Sequence, residues 1–171
     1  SVASRGLGDV YKRQVYEDIF AIKDGSYYSF WNVDGTKLYD AEWEYCNEYK
    51  GIGNEIPQFN SGVLAARNRK PNSTGQKVIS LLYVDGSVRE LDPTWTQVTT
   101  FRDGLALVTK GSYDKEYFYI DIAGKKQYPN LKDVYGGEKN SMRPLRDDRR
   151  AFCRLVWGVA RWGFIDSKGN E

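Results

Sequence analysis

Four segments of the chain share a pattern in which apolar residues lead into a glycine. Before Gly169, the residues at five, four and three positions are Phe164, Ile165 and Asp166. The corresponding triplets are Tyr119-Ile120-Asp121 before Gly124, Leu81-Leu82-Tyr83 before Gly86 and Phe30-Trp31-Asn32 before Gly35. A pattern that recurs along a chain predicts a repeat architecture. We therefore expect residues at one offset to share one environment.

Each glycine follows a stretch rich in strand-forming residues. The stretch 27–33 leads into Asp34-Gly35, which is a strong hairpin signal because both residues tolerate positive φ. An aspartate three positions before the glycine, such as Asp166, can accept backbone hydrogen bonds across the turn. After the first turn, apolar and acidic residues alternate over residues 40–45, which predicts a strand with one acidic, solvated face.

The pattern divides the chain into units of similar length. Each unit is predicted to hold an opening strand, a central strand that ends at the glycine turn, and an exit strand. The predicted units are 15–56, 57–98, 99–140 and 141–171, of which the last is expected to be truncated. Residues 1–14 are expected to be foreign, because 4–14 look like an in-frame translation of a sequencing adapter. The fold class predicted is all-β, an array of short antiparallel β-meander repeats curved as a solenoid or a propeller-like arc.

Composition agrees with an ordered β protein. Of 171 residues, 15% are aromatic, and 17 glycines suit short strands joined by tight turns. The 25 basic and 23 acidic residues give a net charge of +2, so no global field attracts nucleic acid, and no apolar run is long enough to span a membrane. Cys46 and Cys153 are too few for a disulfide framework and are expected to be free, with a single bridge as the alternative. The compartment is left open.

The chain contains no histidine, and this narrows the possible chemistry. Serine and cysteine nucleophiles that depend on a histidine base are excluded, as are histidine-bearing zinc sites. No phosphate-binding glycine motif is present. A hydrolase built on two carboxylates stays open, but Asp121 and Asp166 occupy equivalent positions, which favours the same role in two turns. We expect no catalytic residue, cofactor or metal.

Two groups of side chains are candidates for a binding surface. Trp43, Trp95 and Trp157 would suit a sugar ring if they are exposed in a groove. Arg149 and Arg150 belong to a zone of basic and aromatic residues in the last unit, where Asp147 and Asp148 also lie. A mixture of this kind can bind single-stranded nucleic acid, but the aspartates favour a solvated face with local ion pairs.

The motifs Phe101-Arg-Asp-Gly-Leu-Ala106 and Trp162-Gly-Phe-Ile-Asp-Ser-Lys-Gly169 resemble the bacterial WG (or KWG) repeat, and the likeness extends over residues 15–171. The tryptophan-glycine pair occurs here only at Trp162-Gly163, since unit three has Tyr117-Phe118. The resemblance implies a β-rich repeat region of a bacterial protein with no established catalytic residues and an interaction role. We therefore expect a non-catalytic scaffold that binds another protein, with glycan binding as the alternative and a carboxylate hydrolase after it.

Overall fold

The computed structural model describes residues 17–46, 57–136 and 145–171. The predicted foreign segment 1–14 lies outside them. The strands are β1 (Ile19–Asp24), β2 (Tyr27–Asn32), β3 (Lys37–Tyr45), β4 (Val63–Asn68), β5 (Ile79–Tyr83), β6 (Val88–Glu90), β7 (Trp95–Val98), β8 (Leu105–Lys110), β9 (Glu116–Asp121), β10 (Lys126–Gln127), β11 (Arg149–Val156) and β12 (Val159–Asp166). These strands form three sheets. The six-stranded sheet has the order β1-β2-β3-β4-β5-β6, the four-stranded sheet has the order β10-β9-β8-β7, and the two-stranded sheet is β11-β12. All strand pairs are antiparallel, which confirms the all-β prediction.

Four of the strand pairs are hairpins with one shared register. We number them in chain order as hairpin 1 (β1–β2), hairpin 2 (β4–β5), hairpin 3 (β8–β9) and hairpin 4 (β11–β12). In each, the residue three positions before the turn glycine pairs with the first residue of the opening strand. These pairs are Asn32 with Ile19, Tyr83 with Val63, Asp121 with Leu105 and Asp166 with Arg149.

The four glycine turns have the same hydrogen bonds. Each glycine donates its N–H to the carbonyl oxygen three residues earlier, at 2.9 to 3.0 Å, and its φ lies between 72° and 88°. Glycine adopts this conformation without the steric cost of a Cβ. The Oδ1 atom of Asp166 accepts the N–H groups of Lys168 and Asn170 at 2.8 Å, and Asp121 accepts those of Ala123 and Lys125 at 2.9 Å. The turn role predicted for both aspartates is confirmed.

A second turn precedes every opening strand, and two of its residues have positive φ. We call it the opening turn. It comprises Glu17–Asp18, Ser61–Gly62, Asp103–Gly104 and Asp147–Asp148, with φ values between 48° and 76°. Two consecutive positive φ values are typical of the tight turns that match strand twist. The opening turns thus start the hairpins at equivalent points.

Each hairpin has two faces, because residues paired across it project to the same side. The forward face carries the residue five positions before the turn glycine, and the rear face carries the residue four positions before it. Three buried clusters each join the forward face of one hairpin to the rear face of the next. Their contacting residues are Ile19 and Phe30 with Leu64 and Leu82, then Val63 and Leu81 with Ala106 and Ile120, then Leu107 and Tyr119 with Phe152 and Ile165.

The shared environment expected for the residues five positions before the glycines holds for three of them. Phe30, Leu81 and Tyr119 are buried, whereas Phe164 is 61% exposed. The other three side chains are covered by the rear face of a following hairpin. Among the described residues no hairpin follows hairpin 4, so Phe164 lacks this cover and the prediction is wrong for it. Ile165, on the opposite face of hairpin 4, is fully buried against hairpin 3.

The exit strands connect consecutive hairpins. Strand β3 pairs with β2 and, at its end, with β4, and its pairing with β2 contains register shifts that allow it to bend. In the next unit Pro93 separates two short exit strands, of which β6 pairs with β5 and β7 pairs with β8. Beyond β10, Val134 forms a bridge with Arg154 of hairpin 4. An exit strand is therefore shared between its own hairpin and the next.

Candidate binding surface on hairpin 4

The forward face of hairpin 4 presents apolar side chains to solvent. Phe164 is 61% exposed, Trp162 is 53% exposed and Leu155 is 42% exposed. They lie on one side because Phe164 pairs with Ala151 and Trp162 with Cys153 on the facing strand. Neighbouring exposed apolar residues often mark an interaction site. We define this group, Leu155, Trp162 and Phe164, as the forward patch.

The local sequence of β12 explains why its aromatic residues point outward. Gly163 pairs with Phe152 on the rear face, where the ring of Phe152 occupies the space that a side chain at 163 would need. A Cβ at Gly163 would lie 2.8 Å from Cε1 of Phe152. The glycine therefore lets Phe152 pack against hairpin 3, and its neighbours Trp162 and Phe164 project to the other side by strand alternation.

Trp157 lies at the tip of hairpin 4 and is 99% exposed. Together with Gly158 it forms the two-residue connection between β11 and β12, and its φ is 52°. Positive φ is costly for a bulky side chain, and strained positions tend to occur at functional sites. The tip thus combines an unfavourable backbone conformation with an indole ring that has no burial to stabilise it.

Hairpin 4 has basic residues on both of its faces. Arg149 is exposed and pairs across the hairpin with Asp166. The guanidinium of Arg154 contacts Glu171 and lies 5.2 Å from the ring centroid of Phe152. Arg161, which pairs with Arg154, is exposed. Arg154 and Arg161 lie on the rear face with Phe152, so Arg149, opposite Asp166, is the basic residue that shares the forward face with the patch.

Arg150 is not part of this surface, contrary to its prediction as a surface residue. It is only 2% exposed, because it lies on the rear face and pairs with Ile165. Its Nη2 lies 3.5 Å from Oδ2 of Asp103, and its Nη1 donates to the carbonyl oxygen of Arg102 at 3.2 Å. Burial lowers the pKa of Arg150, while the carboxylate of Asp103 opposes that change. Arg150 thus joins hairpins 3 and 4.

Trp43 is also buried, at 6% exposure, and Trp95 is half-buried. Both lie in exit strands at equivalent points, opposite Asn68 and Lys110 of the following hairpin. The ring of Trp95 packs edge-on against Phe118 at 5.2 Å. An exit strand is covered by two hairpins, so its aromatic residues form core. Of the three predicted tryptophans, only Trp157 is highly exposed.

Sequence reasoning did not identify the forward patch. The offset of Phe164 predicts a core position, Trp162 belongs to the predicted zone of basic and aromatic residues, and the sequence gives no separate signal for Leu155. A signal was nevertheless present. Strand β12 has apolar residues at 162 and 164 and another at 165, so both of its faces are suited to packing.

A cleft of about 290 Å³ lies beside hairpin 3, and its lining includes Glu116, Lys126, Lys132 and Asp133. Glu116 accepts hydrogen bonds from Nζ of Lys126 at 2.9 Å and from Nζ of Lys110 at 3.3 Å. The hydrogen bond from Lys126 contributes most to lowering the pKa of Glu116. A glycosidase acid has a raised pKa, so Glu116 does not match that role.

Cys46 and Cys153 are both free and buried. Burial raises the pKa of Cys46 to about 11, so its thiol is protonated at neutral pH. Within residues 17–46, 57–136 and 145–171 there is no group of three or more aspartate, glutamate or cysteine side chains placed to hold a metal ion. No helix in this described part is long and apolar enough to cross a membrane.

Comparison of the chain with protein-family models gives no match, and comparison with curated proteins gives none either.

Proposed function

We propose that this chain is a non-catalytic scaffold of stacked β-repeats that binds another protein through the forward patch of hairpin 4. The observation that carries the proposal is the 61% exposure of Phe164 at a position that is buried in hairpins 1 to 3. Hairpins 1 to 3 use that position to pack against a further β-hairpin. The forward patch therefore has the chemistry of a packing face, and its natural contact is an apolar protein surface.

The stacked arrangement supports a scaffold of solenoid or propeller-like form. Consecutive hairpins share one register and pack forward face to rear face, while exit strands join them. Contacts between neighbours dominate the core, as expected for a repeat architecture. The likeness to the WG repeat supports the proposal, because that resemblance implies a bacterial protein with an interaction role.

Site-specific photo-cross-linking tests the proposed function. A benzophenone amino acid is placed at Phe164, or at Tyr113 as the control, because Tyr113 is 99% exposed and lies in the connection between the two strands of hairpin 3. Irradiation in an extract of the source organism should give a discrete protein adduct from position 164 and none from position 113. Equal labelling from both positions, or no protein adduct from 164, would contradict the proposal.

Glycan binding is a second candidate, and the exposure of Trp157 favours it. An exposed indole offers a flat apolar face to a sugar ring. In this case the tip of hairpin 4 alone would contact the sugar ring, since Trp43 is buried. Trp157→Ala should then remove binding on a glycan array, whereas Phe164→Glu should leave it unchanged. If both variants still bind glycan, the tip is not the sugar site.

A further inference from the structure

We propose that the tip of hairpin 4 inserts into the interface of a phospholipid bilayer and thereby holds the chain at a membrane surface. We define the apolar tip as residues 155–160, with the sequence Leu-Val-Trp-Gly-Val-Ala. It comprises the last two residues of β11, the Trp157-Gly158 connection and the first two residues of β12. The proposal goes beyond the protein contact proposed for the forward patch, with which the apolar tip shares only Leu155.

The apolar tip has no polar side chain, although nearly all of it faces solvent. Trp157 is 99% exposed, Val159 is 50% exposed and Leu155 is 42% exposed. Gly158 and Ala160 are exposed as well. Turns between strands ordinarily consist of glycine, asparagine, aspartate and serine. A tip of six apolar residues is therefore not explained by the needs of the turn.

The connections of the other three hairpins are polar and equally exposed. They are residues 25–26 in hairpin 1, 69–77 in hairpin 2 and 112–115 in hairpin 3, and Tyr113 is their only aromatic residue. Each of these hairpins is followed by another, so the exposure of a connection does not depend on which hairpins are packed beside it. The apolar character of the tip distinguishes hairpin 4 from its neighbours.

The shape of the apolar tip favours a fluid partner over a flat one. Leu155 pairs with Ala160 on the forward face, and Val156 pairs with Val159 on the rear face. Trp157 lies beyond both pairs. A flat protein surface would cover one face and leave the other in water. The interface of a bilayer would surround all of these side chains at once.

The length of the apolar tip matches the depth of an interfacial element. The cross-strand pair Arg154 and Arg161 comes next below the tip, three residues before Trp157. Because a strand rises about 3.3 Å per residue, this pair lies about 10 Å below the end of the hairpin. Apolar faces that lie in the membrane interface are buried to about 5 to 10 Å. The arginines would thus reach the level of the headgroups, and tryptophan is enriched at that interface.

The charges at the base of the apolar tip are nearly balanced in the part of the chain that the structure describes. Arg154 contacts Glu171. Asp133, whose carbonyl oxygen accepts the N–H of Leu155 at 3.0 Å, follows Lys132. Arg161 is exposed and leaves this group with one more basic than acidic side chain. We therefore expect apolar insertion to provide most of the affinity and anionic lipid to strengthen it.

Flotation of the full 171-residue chain with vesicles tests this proposal. The vesicles contain phosphatidylcholine and phosphatidylglycerol in equal parts and carry no sugar, and the wild type should float with them. Trp157→Ser and Val159→Asp should each lower the partition coefficient by about tenfold or more. Tyr113→Ser is the matched control, since Tyr113 is also 99% exposed, and it should bind like the wild type. Circular dichroism verifies that every variant is folded.

Two further measurements locate the contact. Brominated phospholipids should quench tryptophan emission in the wild type and not in Trp157→Phe, which keeps an aromatic ring but removes the indole. Arg161→Gln should weaken binding to the mixed vesicles by about fivefold and leave binding to pure phosphatidylcholine unchanged.

Three results would overturn the proposal. If the wild type does not float with either vesicle, or if Trp157→Ser and Val159→Asp float as well as the wild type, the apolar tip is not a membrane site. If the wild type binds a glycan array and no vesicle, the exposed indole serves sugar binding instead.

The membrane contact and the protein contact fail independently. Phe164 pairs with Ala151, six residues before Trp157, so it lies about 20 Å below the end of the hairpin. Phe164→Glu should therefore leave vesicle binding unchanged, and a loss of vesicle binding in this variant would contradict insertion by the tip alone. A protein adduct at position 164 tests the proposed function whether or not vesicles bind.

Discussion

Gly163 lies directly opposite Phe152 in hairpin 4, and the phenylalanine ring occupies the space above the glycine. Phe152 is 2% exposed and packs with Leu107, Tyr119 and Ile165 between hairpins 3 and 4. This contact explains why a glycine follows the tryptophan at positions 162 and 163. The glycine accommodates the core of the preceding hairpin, and the tryptophan belongs to the opposite face.

We predict that Gly163→Ala lowers the free energy of unfolding by about 1 to 3 kcal/mol, because the added Cβ overpacks a filled site. Chemical denaturation measures this change. In a Phe152→Leu background the same substitution should cost less, since the smaller side chain makes room for the methyl group. Equal losses in both backgrounds would show that contact with Phe152 is not the cause.

A substitution of Trp157 at the hairpin tip is expected to raise the free energy of unfolding. Trp157→Asn should raise the free energy of unfolding by roughly 0.5 to 1 kcal/mol, because asparagine followed by glycine favours positive φ at both turn positions. No packing is lost, as the indole is 99% exposed. The midpoint of urea unfolding tests the prediction, and Tyr113→Asn serves as a matched control in another exposed connection. A decrease in the midpoint would indicate that Trp157 contributes to stability.

The turns were predictable from sequence to the extent that glycine marked them. Asp34-Gly35 and the equivalent glycines signalled the central turns, and the structure has all four. Two opening turns, Glu17–Asp18 and Asp147–Asp148, have no glycine, so their positive φ had no local signal. In the second of these turns, Arg146 and Arg149 exchange two backbone hydrogen bonds of 2.8 Å, and a two-residue loop closed in this way favours positive φ at both of its residues.

The candidate site was less predictable, because burial here depends on which hairpin covers a face. Trp43 is a candidate for sugar binding only if it is exposed, but β3 pairs with both hairpin 1 and hairpin 2, and Trp43 is buried. Phe164 looked like core, since its offset matched Tyr119. Local periodicity identifies the two faces of a strand and does not say which of them a neighbour covers.

The hydroxyl of Tyr39 connects hairpins 1 and 2 and should make stability depend on alkaline pH. The carbonyl oxygens of Tyr83 and Ser87, at 2.7 and 2.8 Å, share its single O–H donor, and its oxygen accepts the N–H of Tyr83 at 3.1 Å. Burial raises the pKa of Tyr39 to about 12. In the unfolded chain a tyrosine has a pKa of about 10.

Above that value the unfolded chain loses the phenolic proton while the folded protein keeps it. The free energy of unfolding should therefore fall as pH rises from about 10 to about 12, by at most about 1.4 kcal/mol per pH unit from this tyrosine. Urea denaturation of the wild type and Tyr39→Phe across this range tests the sign. The variant should be less stable at pH 7 and should show a flatter decline. Parallel curves would show that Tyr39 does not titrate with unfolding.

The last prediction concerns the contact between the buried guanidinium of Arg150 and the exposed carboxylate of Asp103. Arg150 occupies the rear-face point that is Leu64 on hairpin 2 and Ala106 on hairpin 3, so an apolar side chain fits there. A buried ion pair can often be replaced by apolar residues without loss, whereas removing one partner leaves the other charge uncompensated. We expect Arg150→Met to change the free energy of unfolding by less than about 1 kcal/mol.

Asp103→Asn keeps an oxygen for the N–H of Leu145 and tolerates the positive φ at this position, but it removes the negative charge that faces Arg150. It should lower the free energy of unfolding by about 1 kcal/mol, a modest value because Asp103 is 46% exposed and its charge is screened by solvent. In the Arg150→Met background the loss should nearly vanish, since no buried cation then needs a partner. A double-mutant cycle by urea denaturation measures this coupling. If Asp103→Asn costs the same in both backgrounds, the carboxylate acts on the opening turn alone, and the contact across hairpins 3 and 4 depends on Arg150 and the carbonyl oxygen of Arg102.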